Sequence, residues 1–118
     1  MAKKLDYTYC QAAPVIEWFG NKWVMVVLLK LEELEIARFN ELYRCIPSLS
    51  EKVLASTLDL LEQDGLVERR LYADVPPRTE YRITEFGATL LPHLHAMIDW
   101  GKANFATIQA NRSKVIKK

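Results

Sequence analysis

Between Ser50 and Arg78 the chain sets out polar side chains at spacings suited to contact with nucleic acid. Ser50, Glu51, Lys52, Ala55 and Ser56 fall within two helical turns. An advance of about 100° per residue turns Lys52, Ser56, Asp59 and Gln63 away from Leu54, Leu58 and Leu61. Serine and lysine can bond base edges, an alanine methyl can meet the thymine methyl, and a glutamate can accept from the cytosine amino group. Arg78 follows Pro76-Pro77, whose stiff backbone would pre-set it for a phosphate or the minor groove. Lys22, Arg38, Arg44, Arg69 and Arg70 are further phosphate candidates. Strand alternation puts Arg69 and Arg70 on opposite faces, so at most one points at a ligand, and Arg69 is the one retained. The plain alternative is a solvated helix face, with about half of these cations ordinary surface charges.

Other chemistry finds little support. His93 and His95 point about 200° apart on one helix and do not converge on a metal. No glycine-rich phosphate loop, nucleophile elbow or well-placed carboxylate pair occurs, so the reading is not an enzyme, with no metal and no cofactor. Two cysteines, Cys10 and Cys45, make neither a secreted disulfide framework nor a zinc site. Trp18, Trp23 and Trp100 have the helical phasing of packing residues rather than of a ligand pocket.

The elements that must position these residues follow from periodicity and stop signals. Residues 1–10 read as an arm. Pro14 opens a short helix, and Gly20-Asn21 stops it because both tolerate the left-handed conformation. A helix from about Lys22 to Glu33 is apolar nearly all round and should be the central buried one. A short strand near Ile36–Arg38 and a helix over Phe39–Cys45, ended by Pro47, come next. The candidate recognition helix spans 50–64, with Ser48 and Glu51 at capping-box spacing, Ser50 a second possible N-cap and Gly65 as its stop. A ribbon over 66–84 follows, its strands Leu66–Tyr72 and Thr79–Thr84 joined by the stiff loop Ala73–Arg78. A last helix over 85–109, capped by Thr84, should be kinked or divided by Pro92. Its apolar side, Leu90, Leu91, Leu94, Ile98, Phe105 and Ile108, exceeds what so small a core can cover and argues for a second copy of the chain.

At 118 residues one domain is expected, 1–118. A helix followed at once by a two-stranded ribbon gives the fold class: α+β, mostly α, a winged helix-turn-helix with N- and C-terminal dimerisation helices. Sixteen basic against fifteen acidic residues leave a net charge of +1, so any nucleic-acid contact must rest on local clustering. The start lacks a signal-peptide core and the longest apolar run, Trp23–Leu29, is too short to span a bilayer. The expectation is a soluble, cytoplasmic protein with no membrane partner.

Several of these stretches resemble the HxlR-type transcriptional regulators, relatives of the MarR group. The resemblance covers about Cys10 to Gly101 and is carried by GNKW from Gly20, RFNEL from Arg38, IPSLSEKVL from Ile46, LEQDGLVERRLY from Leu61, VPPRTEYRIT from Val75, EFG from Glu85 and DWG from Asp99. It implies a dimeric DNA-binding regulator, most simply a bacterial repressor, on a pseudo-palindromic double-stranded operator with half-sites about 34–36 Å apart. The chain departs from the pattern in having Gln11 after Cys10, Asn21 where a glycine is common, Pro47-Ser48 for the usual Pro-Gly, and Asp59 where arginine is frequent. Cys10 stands where the family carries an N-terminal cysteine that, in redox-responsive members, senses oxidants or electrophiles. The resemblance therefore implies thiol control at Cys10 by a small oxidant or electrophile, with a disulfide to Cys45 of a second subunit as its sharper form. The rival function is a winged helix used as a protein-interaction module, favoured by the near-neutral charge and by Glu51, Asp59 and Glu62.

Overall fold

The computed structural model of the chain describes residues 11–116, so the arm and Cys10 lie outside the described residues. Helix α1, Ala13–Gly20, has Pro14 in its first turn, where the missing N–H has no partner to lose. It ends otherwise than expected. Neither Gly20 nor Asn21 takes a positive φ. Asn21 is extended, and its side-chain oxygen accepts from Trp23 N–H at 3.0 Å, which starts α2, Lys22–Leu34. Helix α2 is the central one and buries Val24, Val27, Leu28 and Leu31. It closes on a tight turn at Glu35 (φ 67°), where Ile36 N–H donates to Leu34 O at 2.8 Å.

Strand β1, Ala37–Arg38, leads into α3, Phe39–Cys45, whose start is fixed by Arg38 N–H donating to Glu41 Oε1 at 3.1 Å. Buried Ile46 and Leu49 then flank a turn at Pro47-Ser48. Ser48 makes no capping box with Glu51. It takes φ 67°, the conformation that a glycine would occupy without strain, and Ser50 is the cap instead. Helix α4, Glu51–Gln63, buries Leu54, Thr57, Leu58 and Leu61. Full burial of each leucine contributes about 2 kcal/mol. Gly65 (φ 80°) closes α4: its N–H reaches Glu62 O at 3.0 Å and Leu66 N–H reaches Leu61 O at 2.9 Å.

Strands β2, Val67–Tyr72, and β3, Arg78–Ile83, form an antiparallel hairpin, and β1 pairs with β3 to give the order β1-β3-β2. Arg78 belongs to β3 rather than to the loop, because it lies opposite Tyr72 in the ladder. The last expected helix is divided. Thr84 caps α5, Glu85–Ala88, and after a turn α6 runs Leu91–Ile116, past the expected end at 109. Pro92 sits in the first turn of α6, so the break precedes it and no kink is needed. Leu94 is the residue of α6 buried in the core, while Met97, Trp100 (63% exposed), Phe105 and Val115 lie open along a helix about 39 Å long. His95 Nε2 meets Glu32 Oε1 at 2.7 Å and ties the base of α6 to α2.

Two substitutions test this frame by urea denaturation. A Cβ on Gly87, at the buried start of α5, would overlap the Leu66 carbonyl oxygen. Gly87→Ala is expected to cost about 3 kcal/mol, since backbone yields less than a side chain. Ser48→Gly should stabilise by up to about 1 kcal/mol by relieving the left-handed residue. A neutral Gly87→Ala would mean that the α4–β2 junction is not packed as described.

Candidate nucleic-acid interface

At the N-terminal half of α4 the side chains of Ser50, Glu51, Lys52, Ala55 and Ser56 are all exposed. The two hydroxyls are half used. Ser50 Oγ accepts from Val53 N–H at 3.1 Å and keeps its own proton to donate. Ser56 donates to Val53 O at 3.0 Å and keeps its lone pairs to accept. One therefore suits an acceptor such as guanine N7 or a phosphate oxygen, the other an amino group of cytosine or adenine. Glu51, free of any capping role, is available to accept as well.

The basic residues divide into two sets. Arg70, Arg78 and Arg82 share one face of the hairpin, where the register sets Glu68 opposite Arg82, Glu80 opposite Arg70 and Tyr72 opposite Arg78. All three are paired: Arg82 with Glu68 at 3.1 Å, Arg70 with Glu68 at 3.8 Å, Arg78 with Asp74 at 3.2 Å and with Glu80 at 3.7 Å. Arg78 also lies over the Tyr72 ring, 4.4 Å from its centroid, and is only 35% exposed at its side chain. The Arg70 guanidinium is pushed up by Tyr72 first and by Glu68 next. Lys22, Arg38, Arg44, Lys52 and Arg69, by contrast, make no ion pair among the described residues.

The structure does not gather that second set in one place. Arg38 lines a groove between the start of α3 and the wing, with Asn40, Pro76, Pro77, Arg78 and Thr79. Asn40 and Thr79 carry no sequence signal for this role. They arrive there because β1 pairs with β3, a pairing that spacing along the chain does not reveal. Arg44, in the last turn of α3, spends its Nε on Asn40 O at 3.3 Å and keeps its other donors. Arg69 is on the opposite hairpin face from Arg70, facing Tyr81. Burial pushes the Tyr81 phenol up, Arg69 draws it back, and Asp59 and Glu62 of α4 push it up again. Lys22 lies over the Trp23 ring, four residues after Trp18, whose indole meets Asp64 at the end of α4 remote from Ser50. Of the tryptophans Trp18 is buried, Trp23 packs against the core and Trp100 is open. Cys45 is an exposed thiol at the end of α3, within electrostatic reach of Lys30, whose ammonium is raised chiefly by its bond to Glu33.

Among the described residues no three potential ligands converge on a metal-sized site, and no helix is long and apolar enough to cross a membrane.

Comparison with known proteins gives the family. Residues 18–109 match the family described as HxlR-like helix-turn-helix. The HTH-type transcriptional regulator YybR of Bacillus subtilis is 36% identical over 98% of this chain and 94% of its own length. Among solved structures, the transcriptional regulator ytfH of Salmonella typhimurium superposes with a TM-score of 0.78 at 33% identity, covering 90% of this chain and 94% of that one. The redox regulator HypR, in its reduced form, gives a TM-score of 0.76 at 36% identity over 81% of this chain and 94% of that one.

The pairing of Arg78 generates a test of the wing by itself. Arg78→Ala should quicken amide exchange across Arg70–Tyr72 and Arg78–Glu80, while global stability falls by less than about 1 kcal/mol, as expected for partly exposed ion pairs. Lys52→Ala should leave both unchanged. Unaltered exchange in Arg78→Ala would show that its carboxylate partners do not hold the hairpin.

Proposed function

We propose a function from the premise that the chain belongs to the HxlR-like helix-turn-helix family of DNA-binding transcriptional regulators, which are not enzymes. Two copies pair through α1 and α6, and each lays the N-terminal half of α4 in the major groove of a pseudo-palindromic operator, most simply to repress. The observation that carries this reading is the division of charge. On one face of the wing Arg70, Arg78 and Arg82 are paired with its own carboxylates, whereas Lys52 of α4, beside the exposed serines, Arg38 of β1 and Arg44 of α3 make no ion pair among the described residues. Lys52 and Arg38 take phosphates, with Arg44 and Arg69 adding to the backbone contact, while Lys22, at the far end of α4, takes no part. Ser50, Glu51, Ala55 and Ser56 read base edges. Arg78 serves by bracing the wing against the neighbouring backbone. The exposed apolar residues Val15, Ile16 and Phe19 of α1 and Met97, Trp100 and Phe105 of α6 support pairing, since open patches of this kind mark interfaces.

Control by a thiol is the finer part of the reading. HypR is a redox regulator and shares this fold at 36% identity, and Cys45 is exposed. Oxidation joins Cys10 of one copy to Cys45 of the other, the two thiols giving two electrons and two protons to the oxidant. Diamide treatment followed by a non-reducing gel should yield a dimer-sized band that Cys45→Ser abolishes; a band that survives Cys45→Ser excludes this bridge.

Salt titration of binding to the DNA upstream of the chain's own gene tests the DNA reading. Lys52→Ala and Arg38→Ala, each removing one contact from both copies, should each reduce the log–log salt slope by about 2. Arg78→Ala should weaken binding to every sequence while changing the slope by less than about 0.5, because its charge is already paired. Binding that is absent or indifferent to salt would favour the protein-interaction module.

A further inference from the structure

We propose that the hydrogen bond between Trp18 and Asp64 sets the pitch of α4 against the pairing helices, making these two the positioning residues for the spacing between DNA half-sites. The proposal rests on the paired-reader function above. Trp18 is 9% exposed, and its Nε1–H donates to Asp64 Oδ2 at 2.6 Å. It is the one hydrogen bond that the described residues of α1 make to α4.

Asp64 is hard to account for in any other way. It occupies the C-cap of α4, where the helix dipole presents its negative end and disfavours a carboxylate. Asp59 and Glu62 add two more negative charges to the same end. The helix closure does not need the side chain, since Asp64 N–H to Leu60 O, Gly65 N–H to Glu62 O and Leu66 N–H to Leu61 O are all backbone bonds. What needs it is the indole. A buried N–H left without an acceptor is costly, and a charged acceptor makes the stronger bond.

The tie lies between the two working parts of the molecule. Trp18 is on the inner face of α1, and Val15, Ile16 and Phe19 occupy its exposed surface. Toward the other end of α4 stand the reading residues, from Ser56 about 12 Å away to Ser50 about 21 Å away. Over that length a tilt of about 10° shifts the reading end by about 3.5 Å, one base-pair step. The core holds the end of α4, but a loose tie between α1 and α4 would let each copy reach half-sites one step nearer or farther. A fixed one selects a single spacing.

Selection from a library of random duplex DNA, using the full chain, reads this out. The wild type and Asp64→Asn, which keeps an acceptor for the indole, should enrich paired half-sites of one spacing. Trp18→Phe and Asp64→Ala should spread over about five adjacent spacings and bind the best wild-type site about tenfold more weakly. If Trp18→Phe fails to fold, Asp64→Ala carries the test. Wild-type spacing in either variant overturns the proposal, even with reduced affinity, because the contact would then only stabilise. Wild-type enrichment of no DNA defeats the paired-reader function itself and the positioning role with it.

Discussion

Leu66 stands where α4 ends and the wing begins, and its backbone is held from both sides. Its N–H closes the end of α4 on Leu61 O, and its carbonyl accepts from Thr84 N–H at 3.1 Å, where the returning strand leaves the hairpin. Thr84 completes the joint: its Oγ1 donates to Gly65 O at 2.6 Å and accepts from Gly87 N–H at 2.9 Å. Gly87 packs so closely on the Leu66 carbonyl that no side chain fits. Helix, hairpin and the turn into α6 thus meet in four residues. These bonds fix how α4 passes into the wing.

The second organising fact is where charge is cancelled and where it is not. A net charge of +1 says little, because the molecule pairs its charges unevenly. On the hairpin each arginine of the outer face finds a carboxylate across the ladder or along it, and the result is a stiff, nearly neutral blade. At the start of α4 Lys52 makes no ion pair among the described residues, and the carboxylate Glu51 makes no capping bond. Exposed pairs of this kind add little stability. Their larger effect is to cancel charge on that face of the wing.

Much of the fold was legible because its signals are local. The leucine stripe of α4, the glycine after it, the turn residues of the hairpin and the cap at Thr84 each act within about four residues. Errors fell where two local signals competed. Ser48 and Ser50 both offered a cap; the buried Leu49 and Ile46 drew Ser48 into a left-handed turn and left Ser50 to bond Val53. Asn21 reads as a stop and acts as a start, because an extended asparagine caps the helix that follows it. Pro92 marks a break but not its place, since a proline is welcome in a first turn.

The sequence by itself determined the order and kind of the elements, the apolar face of each, and the family, because these depend on periodicity and on motifs read along the chain. Only the tertiary structure decided the partners of the polar side chains. Arg78 reads as an open cation beside two prolines, yet the hairpin ladder delivers Tyr72 and Glu80 to it and the loop folds Asp74 back onto it. Asp64 reads as one more acid at a helix end until Trp18, 46 residues away in sequence, meets it at 2.6 Å. An ion pair or a buried hydrogen bond is set by distances of a few ångströms between elements, and no spacing along the chain encodes those distances.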